Sequence, residues 1–193
     1  MKIGIDISQI VYEGAGVATH VGNIVREMVS MDKKNEYVLF GSAFRQYNKI
    51  NDYCEKLKKI NNKVQIKLYP FPPILLDFFW NKLHIFPIEW LVGSVDIFWS
   101  SDWTQPPLSH ATGVTTIHDL IYQKYPDETN PSTSVSVKNL QVLANIVATQ
   151  KRRIKWVKKE CKLIFCDSSS TKNDIVKYLG IHPDKLKVVY PGI

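Results

Sequence analysis

His118 and Asp119 form the residue pair in this sequence that points most directly to chemistry. They follow a stretch at 113–117 that is predicted to form a strand. A histidine at a strand end can hydrogen-bond a ligand hydroxyl or exchange a proton near neutral pH, and the adjacent carboxylate could orient the imidazole. The alternative is a local turn in which Asp119 caps a short helix.

Gly14 and Gly16 lie between an apolar strand at 2–6 and an amphipathic helix at 17–29. Glycine lets the backbone approach a ligand closely, and the first N–H groups of the following helix attract an anion. The loop is not a complete dinucleotide fingerprint, because Thr19 stands where a third glycine is expected, and it is not a Walker loop either. A plain tight turn between strand and helix is the alternative.

Two further loops carry polar residues that suit a sugar or an anion. Ser168 follows a strand and is predicted to cap the next helix, whose N-terminus could also receive an anion or a sugar hydroxyl. Asp102 precedes Trp103, and a carboxylate beside an aromatic face is a common way to hold a sugar. Asp102 and Trp103 equally fit a surface loop and a core tryptophan.

A cluster of positive charge lies near the C-terminal end of a long predicted helix. One interpretation is a dock for anionic lipid headgroups, and another is a nucleic-acid patch. The third is a solvated helix face whose charges suit a helix C-terminus. The cluster comprises Lys151, Arg152, Arg153, Lys155, Lys158 and Lys159, with Trp156 among them.

Composition is that of a globular protein with a basic charge balance. The chain has 193 residues, 45% of them hydrophobic, and a net charge of +7, which favours an anionic ligand or reflects only a solvated surface. Its three cysteines have no metal-ligand spacing and indicate reduced thiols in a cytoplasmic protein. We see no signal peptide and no apolar run of the ~20 residues that a membrane span needs. No hydrolase, nuclease or metal motif stands out.

Predicted strands alternate with predicted helices along the whole chain. This order favours an α/β, Rossmann-like domain with a mostly parallel sheet of about six to seven strands and helices on both faces. In such a sheet, ligands bind outside the carboxyl ends of the strands. Strands are predicted at 2–6, 37–40, 64–69, 95–99, 113–117, 163–166 and 187–190, and helices at 17–29, 43–60, 74–92 (kinked at Pro87 or two in series), 134–160 and 168–180, with an irregular loop at 120–134.

Five stretches in this order resemble the N-terminal domain of family 4 glycosyltransferases, which have the GT-B fold. They are 2–6, 14–21, 116–120, 166–175 and 180–193, and the resemblance covers essentially the whole chain. It departs from the family at Ala15, which separates two glycines that are often adjacent. It departs more at the C-terminus, because the donor-binding domain of the family is absent from residues 1–193.

The resemblance implies transfer of a sugar from a nucleotide-sugar donor to a glycan or lipid-linked acceptor, with retention of configuration and without a cofactor or required metal. Residues 1–193 would be the acceptor-side domain, which folds alone but transfers no sugar. The glycine loop would face the donor diphosphate or the acceptor, His118 would lie beside the transferred sugar, and Ser168 would lie at the cleft edge. Catalytic candidates are His118 and Asp119, and substrate-binding candidates are Gly14, Gly16, His20, Asp102 and Ser168.

The leading hypothesis is therefore a cytoplasmic glycosyltransferase domain, peripheral to the inner face of a membrane, acting in cell-surface polysaccharide synthesis. The stretches 117–120 and 125–127 hint at a mannosyl- or rhamnosyl-type member. Lys151, Arg152, Arg153 and Lys155 would form the membrane dock, and no nucleic-acid partner is expected. The alternative is a stand-alone module that binds an anionic ligand, a membrane surface or a nucleic acid, through the basic helix.

Overall fold

The computed structural model describes residues 1–12, 14–124 and 137–191, and the side chains of all of these except 137–144. Within these residues the chain forms one seven-stranded sheet in which every strand pair is parallel, with the order β3-β2-β1-β4-β5-β6-β7. The predicted α/β, Rossmann-like fold is confirmed. The strands are β1 (Lys2–Asp6), β2 (Glu36–Ser42), β3 (Val64–Tyr69), β4 (Ile97–Ser100), β5 (Thr112–Ile117), β6 (Cys161–Cys166) and β7 (Leu186–Val188).

Helices connect these strands, and several of them begin or end with non-α turns. Short 3-10 segments occur at Ser8–Val11 and Pro183–Lys185, of which the first lies in the predicted glycine loop. The α-helices are α1 (Gly16–Met31), α2 (Tyr47–Ile60), α3 (Pro73–Leu76), α4 (Glu89–Val92), α5 (Ile121–Lys124), α6 (Val137–Glu160) and α7 (Ser169–Asp174); α3 continues as a π-helix at Asp77–Leu83 and α7 as a π-helix at Ile175–Leu179.

The sheet is covered on both faces, as the alternation along β2 shows. Tyr37 and Leu39 pack in one core cluster with α1 and α2, whereas Val38 and Phe40 pack in another with the segment that joins β3 to β4. Successive side chains of a strand point to opposite faces, so these two clusters lie on opposite sides of the sheet. A third cluster joins β6 and β7 to α6 and α7.

Two predicted boundaries are corrected. Strand β4 begins at Ile97 rather than at residue 95, because the Asp96 carboxylate and amide bond the backbone of Lys2 before regular pairing starts. The predicted helix at 74–92 is divided in two, and the break begins at His84, whose left-handed backbone (φ 55°) ends the first part before Pro87 is reached.

Some sequence expectations lie outside the described residues: most of the loop at 120–134, the start of the helix predicted at 134, the 125–127 stretch and the last two residues of the 180–193 stretch. In the described part of the chain, no helix combines the length and the apolarity needed to cross a membrane.

Strand order reverses between β1 and β4, so the carboxyl ends of these strands form the switch point at which doubly wound proteins bind ligands.

Candidate functional site

His118 and Asp167 form a hydrogen-bonded pair at the carboxyl edge of the sheet. Ile117 and Cys166 are register partners in β5 and β6, so the residues that follow them lie side by side. His118 Nδ1 lies 2.6 Å from Asp167 Oδ2. A carboxylate on one ring nitrogen fixes the tautomer and orientation of the imidazole and leaves the other nitrogen for a ligand.

Asp119 does not contact His118 in this way. Its carboxylate accepts a hydrogen bond from the Ile121 N–H at 3.1 Å, at the start of α5, which is the local turn considered as the alternative. The expectation that Asp119 orients the imidazole is therefore corrected in favour of Asp167. The sequence carried a signal for this partner, because His118 and Asp167 each come directly after an apolar strand.

His20 brings α1 to the same place. Its ring lies edge-on to that of His118, with 5.2 Å between centroids. Partial burial lowers the pKa of His20 below its ordinary value of 6.5, and the charge on His118 lowers it further while Asp167 opposes the shift. His20, His118 and Asp167 offer ligand atoms within 4.8 Å of one another and could hold a metal ion, and His118 Nδ1 is already hydrogen-bonded to Asp167 Oδ2.

The glycine loop leaves space in front of the α1 N-terminus. Gly14 has φ 78°, a conformation that favours glycine, and Gly16 is the first residue of α1. A Cβ built at either glycine would meet no atom within 4 Å among the described residues. The N-cap residue, Ala15, supplies no side-chain cap, so within the described residues the first amides of α1 remain available to an anion.

Ser168 is the N-cap of α7, as predicted. Its hydroxyl accepts a hydrogen bond from the Thr171 N–H at 3.0 Å, and Thr171 Oγ1 in turn donates to the His118 carbonyl at 3.2 Å. The cap therefore fixes the start of α7 and also connects it to the backbone of the histidine. The Ser168 hydroxyl therefore has a structural role at the edge of the site, as the acceptor for the Thr171 N–H.

Arg153 is not a surface residue, which corrects its assignment to the membrane dock. Its side chain is 0% exposed. It donates to Asp102 Oδ1 at 3.1 Å, to Thr115 Oγ1 at 2.7 Å and to the Thr116 carbonyl at 2.9 Å. Arg152 is likewise engaged, with Nη2 2.6 Å from Asp77 Oδ2.

Asp102 therefore serves first as the partner of Arg153 and not as a free sugar-binding carboxylate. Burial raises the pKa of Asp102 above its ordinary value, against the opposing effect of the Arg153 charge. The neighbouring Trp103 is half-buried and lines a cavity. Of the predicted dock, Lys151 and Lys155 remain exposed.

A cavity of about 730 Å³ lies at the carboxyl ends of β1, β2 and β4, beside the switch point. Its polar walls include Asp6 and Gln9, which are each 3% exposed. Asp6 Oδ2 and both polar atoms of the Gln9 side chain have no partner within the described part of the chain. Burial raises the pKa of Asp6, while hydrogen bonds from Ser8 and Ser101 oppose the shift.

The rest of the cavity is largely apolar, with Tyr12, Phe44, Ile74 and Trp103 among its walls. Buried polar groups are normally hydrogen-bonded, so unpartnered ones that face a cavity indicate a site for a polar ligand. Neither Asp6 nor Gln9 is among the site residues predicted from the sequence. Asp6 could have been found by the signal that applies to His118, a polar residue at the end of an apolar strand.

Comparisons with known proteins add one informative match. One similar solved structure is the crystal structure of a short-chain dehydrogenase from Oenococcus oeni PSU-1, with 14% identity and a TM-score of 0.37. The match covers 95% of this chain and 68% of that one. This likeness is too low to support a functional argument. The search of curated protein sequences finds no match. A family model described as Glycosyltransferase Family 4 matches residues 14–193, and the chain therefore belongs to that family.

Proposed function

We propose that residues 1–193 form the acceptor-side domain of a retaining glycosyltransferase that moves a sugar, with mannose as the first candidate, from a nucleotide-sugar donor to a glycan or lipid-linked acceptor. The family match indicates a glycosyltransferase-type function. The observation that carries the finer proposal is the pairing of His118 with Asp167 beside His20 at the carboxyl edge of the sheet. The glycine loop opens α1 at the same edge.

His118 is the residue we assign to the transferred sugar. Asp167 holds its Nδ1, so Nε2 is the ring nitrogen left to hydrogen-bond a sugar hydroxyl. The first amides of α1 suit a donor phosphate, because helix N-termini bind anions through N–H groups and the helix dipole. Groups fixed before the ligand arrives stabilise a developing charge without reorganisation.

We assign the cavity to the acceptor. Its polar side, at Asp6 and Gln9, suits sugar hydroxyls, and its apolar rim, at Phe44 and Ile74, suits an attached lipid. Phe44 is 65% exposed and Ile74 is 77% exposed, so both present apolar surface at the mouth. An acceptor with a sugar head and an apolar tail matches this division.

We further propose, as the family resemblance implies, that the pocket for the donor nucleotide lies on a C-terminal domain outside residues 1–193. By this proposal the isolated chain folds but does not catalyse sugar transfer. The same proposal locates the enzyme in the cytoplasm, at the inner face of a membrane, in cell-surface polysaccharide synthesis. The competing hypothesis is a stand-alone module that binds an anionic ligand through the basic helix. It has less support because Arg152 and Arg153 are held in ion pairs.

The sugar assignment can be tested on the chain itself by NMR of ¹⁵N-labelled histidine rings. At millimolar concentration, where the contacts of this domain alone allow weak binding without the nucleotide pocket, we expect GDP-mannose or UDP-glucose to shift the ring signals of His118 and His20, and GDP or UDP alone to leave them unchanged. His118→Gln should abolish the shift of the His20 ring signal, whereas His182→Gln, at an exposed histidine, should retain that shift. Unchanged His118 signals with every sugar nucleotide at millimolar concentration would contradict the assignment.

The acceptor assignment is tested with octyl α-mannoside against methyl α-mannoside. We expect the octyl compound to bind more tightly, and Phe44→Ser to remove that advantage while Met31→Ser, at an equally exposed apolar residue elsewhere, retains it. Equal affinity for the two mannosides would contradict the apolar rim. Turnover of radiolabelled donors by the isolated chain would contradict the two-domain proposal.

A further inference from the structure

A continuous row of aromatic rings crosses the outer surface of the segment between β3 and β4. Phe78 contacts Phe79, Phe79 contacts Phe86 and Phe86 contacts Trp90, with ring centroids 5.3–5.7 Å apart. Trp90 is 71% exposed, and monomeric soluble proteins seldom expose large apolar side chains side by side. We define the aromatic surface as the exposed side chains of Phe78, Leu83, Ile85, Phe86 and Trp90.

The backbone beneath the aromatic surface is held in an uncommon conformation. His84 and Phe86 have φ of 55° and 65°, values that residues other than glycine rarely adopt. His84 is fixed by Trp80, through its carbonyl at 2.9 Å, and by Glu160, through Oε1 at 3.0 Å. Trp80 also donates to the Phe86 carbonyl at 3.0 Å. The surface is therefore presented by a rigid support and not by a loose loop.

Helix α6 adds lysines to the edge of the aromatic surface. Trp156 stacks on His84 with ring centroids 3.6 Å apart and donates to the Asn81 carbonyl at 2.7 Å. Lys155 and Lys159 lie over the Trp156 ring, at 4.8 and 4.9 Å from its centroid. On the aromatic segment itself, Lys82 lies 5.4 Å from the centre of the Phe78 ring.

The acidic residues of the same two segments do not offset these lysines. Asp77 is paired with Arg152, the Glu160 carboxylate is hydrogen-bonded to His84 and to the Leu108 N–H, and Asp96, at the end of the β3–β4 segment, accepts a hydrogen bond from the Lys2 N–H. Glu89 is 8% exposed, and one of its oxygens accepts three backbone N–H bonds from residues 109–111. The charged side chains that lie over the aromatic rings are therefore lysines, which complement an anionic surface.

The aromatic surface is also continuous with the cavity. Ile74, Leu76 and Asp77 line the cavity and lead directly into the π-helix that carries Phe78. Between Leu83 and Ile85, His84 bonds Glu160, which immediately precedes β6 and so lies at the opposite edge of the sheet. The surface thus extends from the cavity mouth along one face of the domain.

We propose that the aromatic surface, with Lys82, Lys155 and Lys159, docks this domain on a bilayer of anionic lipids. Trp90 suits the interface because its indole has apolar surface and a polar N–H, and the phenylalanine rings add apolar surface. The lysine stems can lie along the apolar surface while their ammonium groups reach the lipid phosphates. Arg152 and Arg153 take no part, so the dock differs from the basic run expected from the sequence. The inference deepens the proposed lipid-linked acceptor, which would pass from the bilayer into the adjoining cavity.

Vesicle flotation of the 193-residue chain tests the dock without requiring sugar transfer. The probes are vesicles of phosphatidylcholine alone and of phosphatidylcholine mixed equally with phosphatidylglycerol. We expect binding to the mixed vesicles. Each lysine near an anionic surface raises the affinity about five-fold, so Lys82→Glu/Lys155→Glu should lower it by more than about ten-fold. Trp90→Ser should lower it as well.

Matched changes on the opposite face of the sheet serve as controls. Lys56→Glu/Lys58→Glu on α2 alters the net charge equally, and Met31→Ser removes a side chain as exposed as Trp90. We expect both controls to bind as the unchanged chain does. All the altered side chains are exposed, and circular dichroism verifies that each variant is folded.

Quenching of tryptophan fluorescence by bromine-labelled lipids supplies a second readout. We expect quenching that Trp90→Phe largely removes and that Met31→Ser leaves intact. Failure to bind mixed vesicles, equal loss in the control variants, or a concentration-dependent dimer that Trp90→Ser dissolves would each overturn the proposal. Because the histidine NMR response to sugar nucleotides needs no lipid, the dock and the proposed function can fail separately.

Discussion

The Arg153 guanidinium lies 3.1 Å from the Asp102 carboxylate and joins helix α6 to the loop that follows β4. The same guanidinium bonds Thr115 and Thr116 in β5, so one buried cation links three elements beneath the candidate site. The two basic residues that precede it behave differently, because Lys151 is exposed and Arg152 is only partly covered. Within the basic run, Arg153 therefore connects elements of the fold, whereas Lys151 contributes positive charge to the surface.

Replacement of Arg153 should destabilise the domain strongly. Arg153→Met removes the partner of a carboxylate that is largely buried, and breaking such a pair from one side costs about 3 kcal/mol. Urea unfolding measures the change. Lys151→Met, at the exposed neighbour, should alter the free energy of unfolding by no more than about 0.5 kcal/mol. Equal stability of the two variants would show that Arg153 is not buried as described.

Gly113 should not tolerate a side chain. A Cβ at this position would overlap the Glu160 carbonyl oxygen and lie 2.7 Å from Leu108 Cδ1, where the β5–β6 register shifts. Overpacking of this kind costs about 1–3 kcal/mol, and we expect Gly113→Ala to lower the thermal midpoint accordingly. Gly16→Ala is the control, because a Cβ there meets no described atom within 4 Å. A midpoint for Gly113→Ala within error of the Gly16→Ala value would refute this expectation.

The lowered pKa of His20 predicts a pH dependence of stability. The unfolded chain, in which His20 has a pKa near 6.5, binds its proton more readily than the folded chain does. Stability is therefore greatest above that value and is lost as the pH falls through it. We expect His20→Asn to lose less stability than the unchanged chain between about pH 7.5 and about pH 5.5. Parallel stability curves for the two chains would contradict the shift.

Ser168 should contribute as a cap. Ser168→Ala removes the acceptor of the Thr171 N–H and should cost about 1 kcal/mol in urea unfolding, whereas Ser168→Asp keeps an acceptor and should cost less. Ser170→Ala, at an exposed position in the same run, should have an effect below about 0.5 kcal/mol. A Ser170→Ala cost equal to that of Ser168→Ala would argue against the cap.

Local patterns in the sequence determined the elements and their order. Alternating strands and helices predicted the parallel sheet, Ser168 predicted the start of α7, and Gly180 predicted its end, where the backbone is left-handed at φ 63°. The His118 strand end and the family resemblance also came from the sequence alone. These features depend on neighbours along the chain, whose preferences can be read residue by residue.

The tertiary structure alone decided which side chains meet. Asp167 rather than Asp119 contacts His118 because β5 and β6 are adjacent in the sheet although 49 residues separate the pair. Arg153 is buried because β5 and the loop after β4 close over it, and the aromatic surface lies beside Lys155 because Trp156 stacks on His84. Charge and hydrophobicity in a sequence do not specify burial, since burial depends on the elements that pack across the fold.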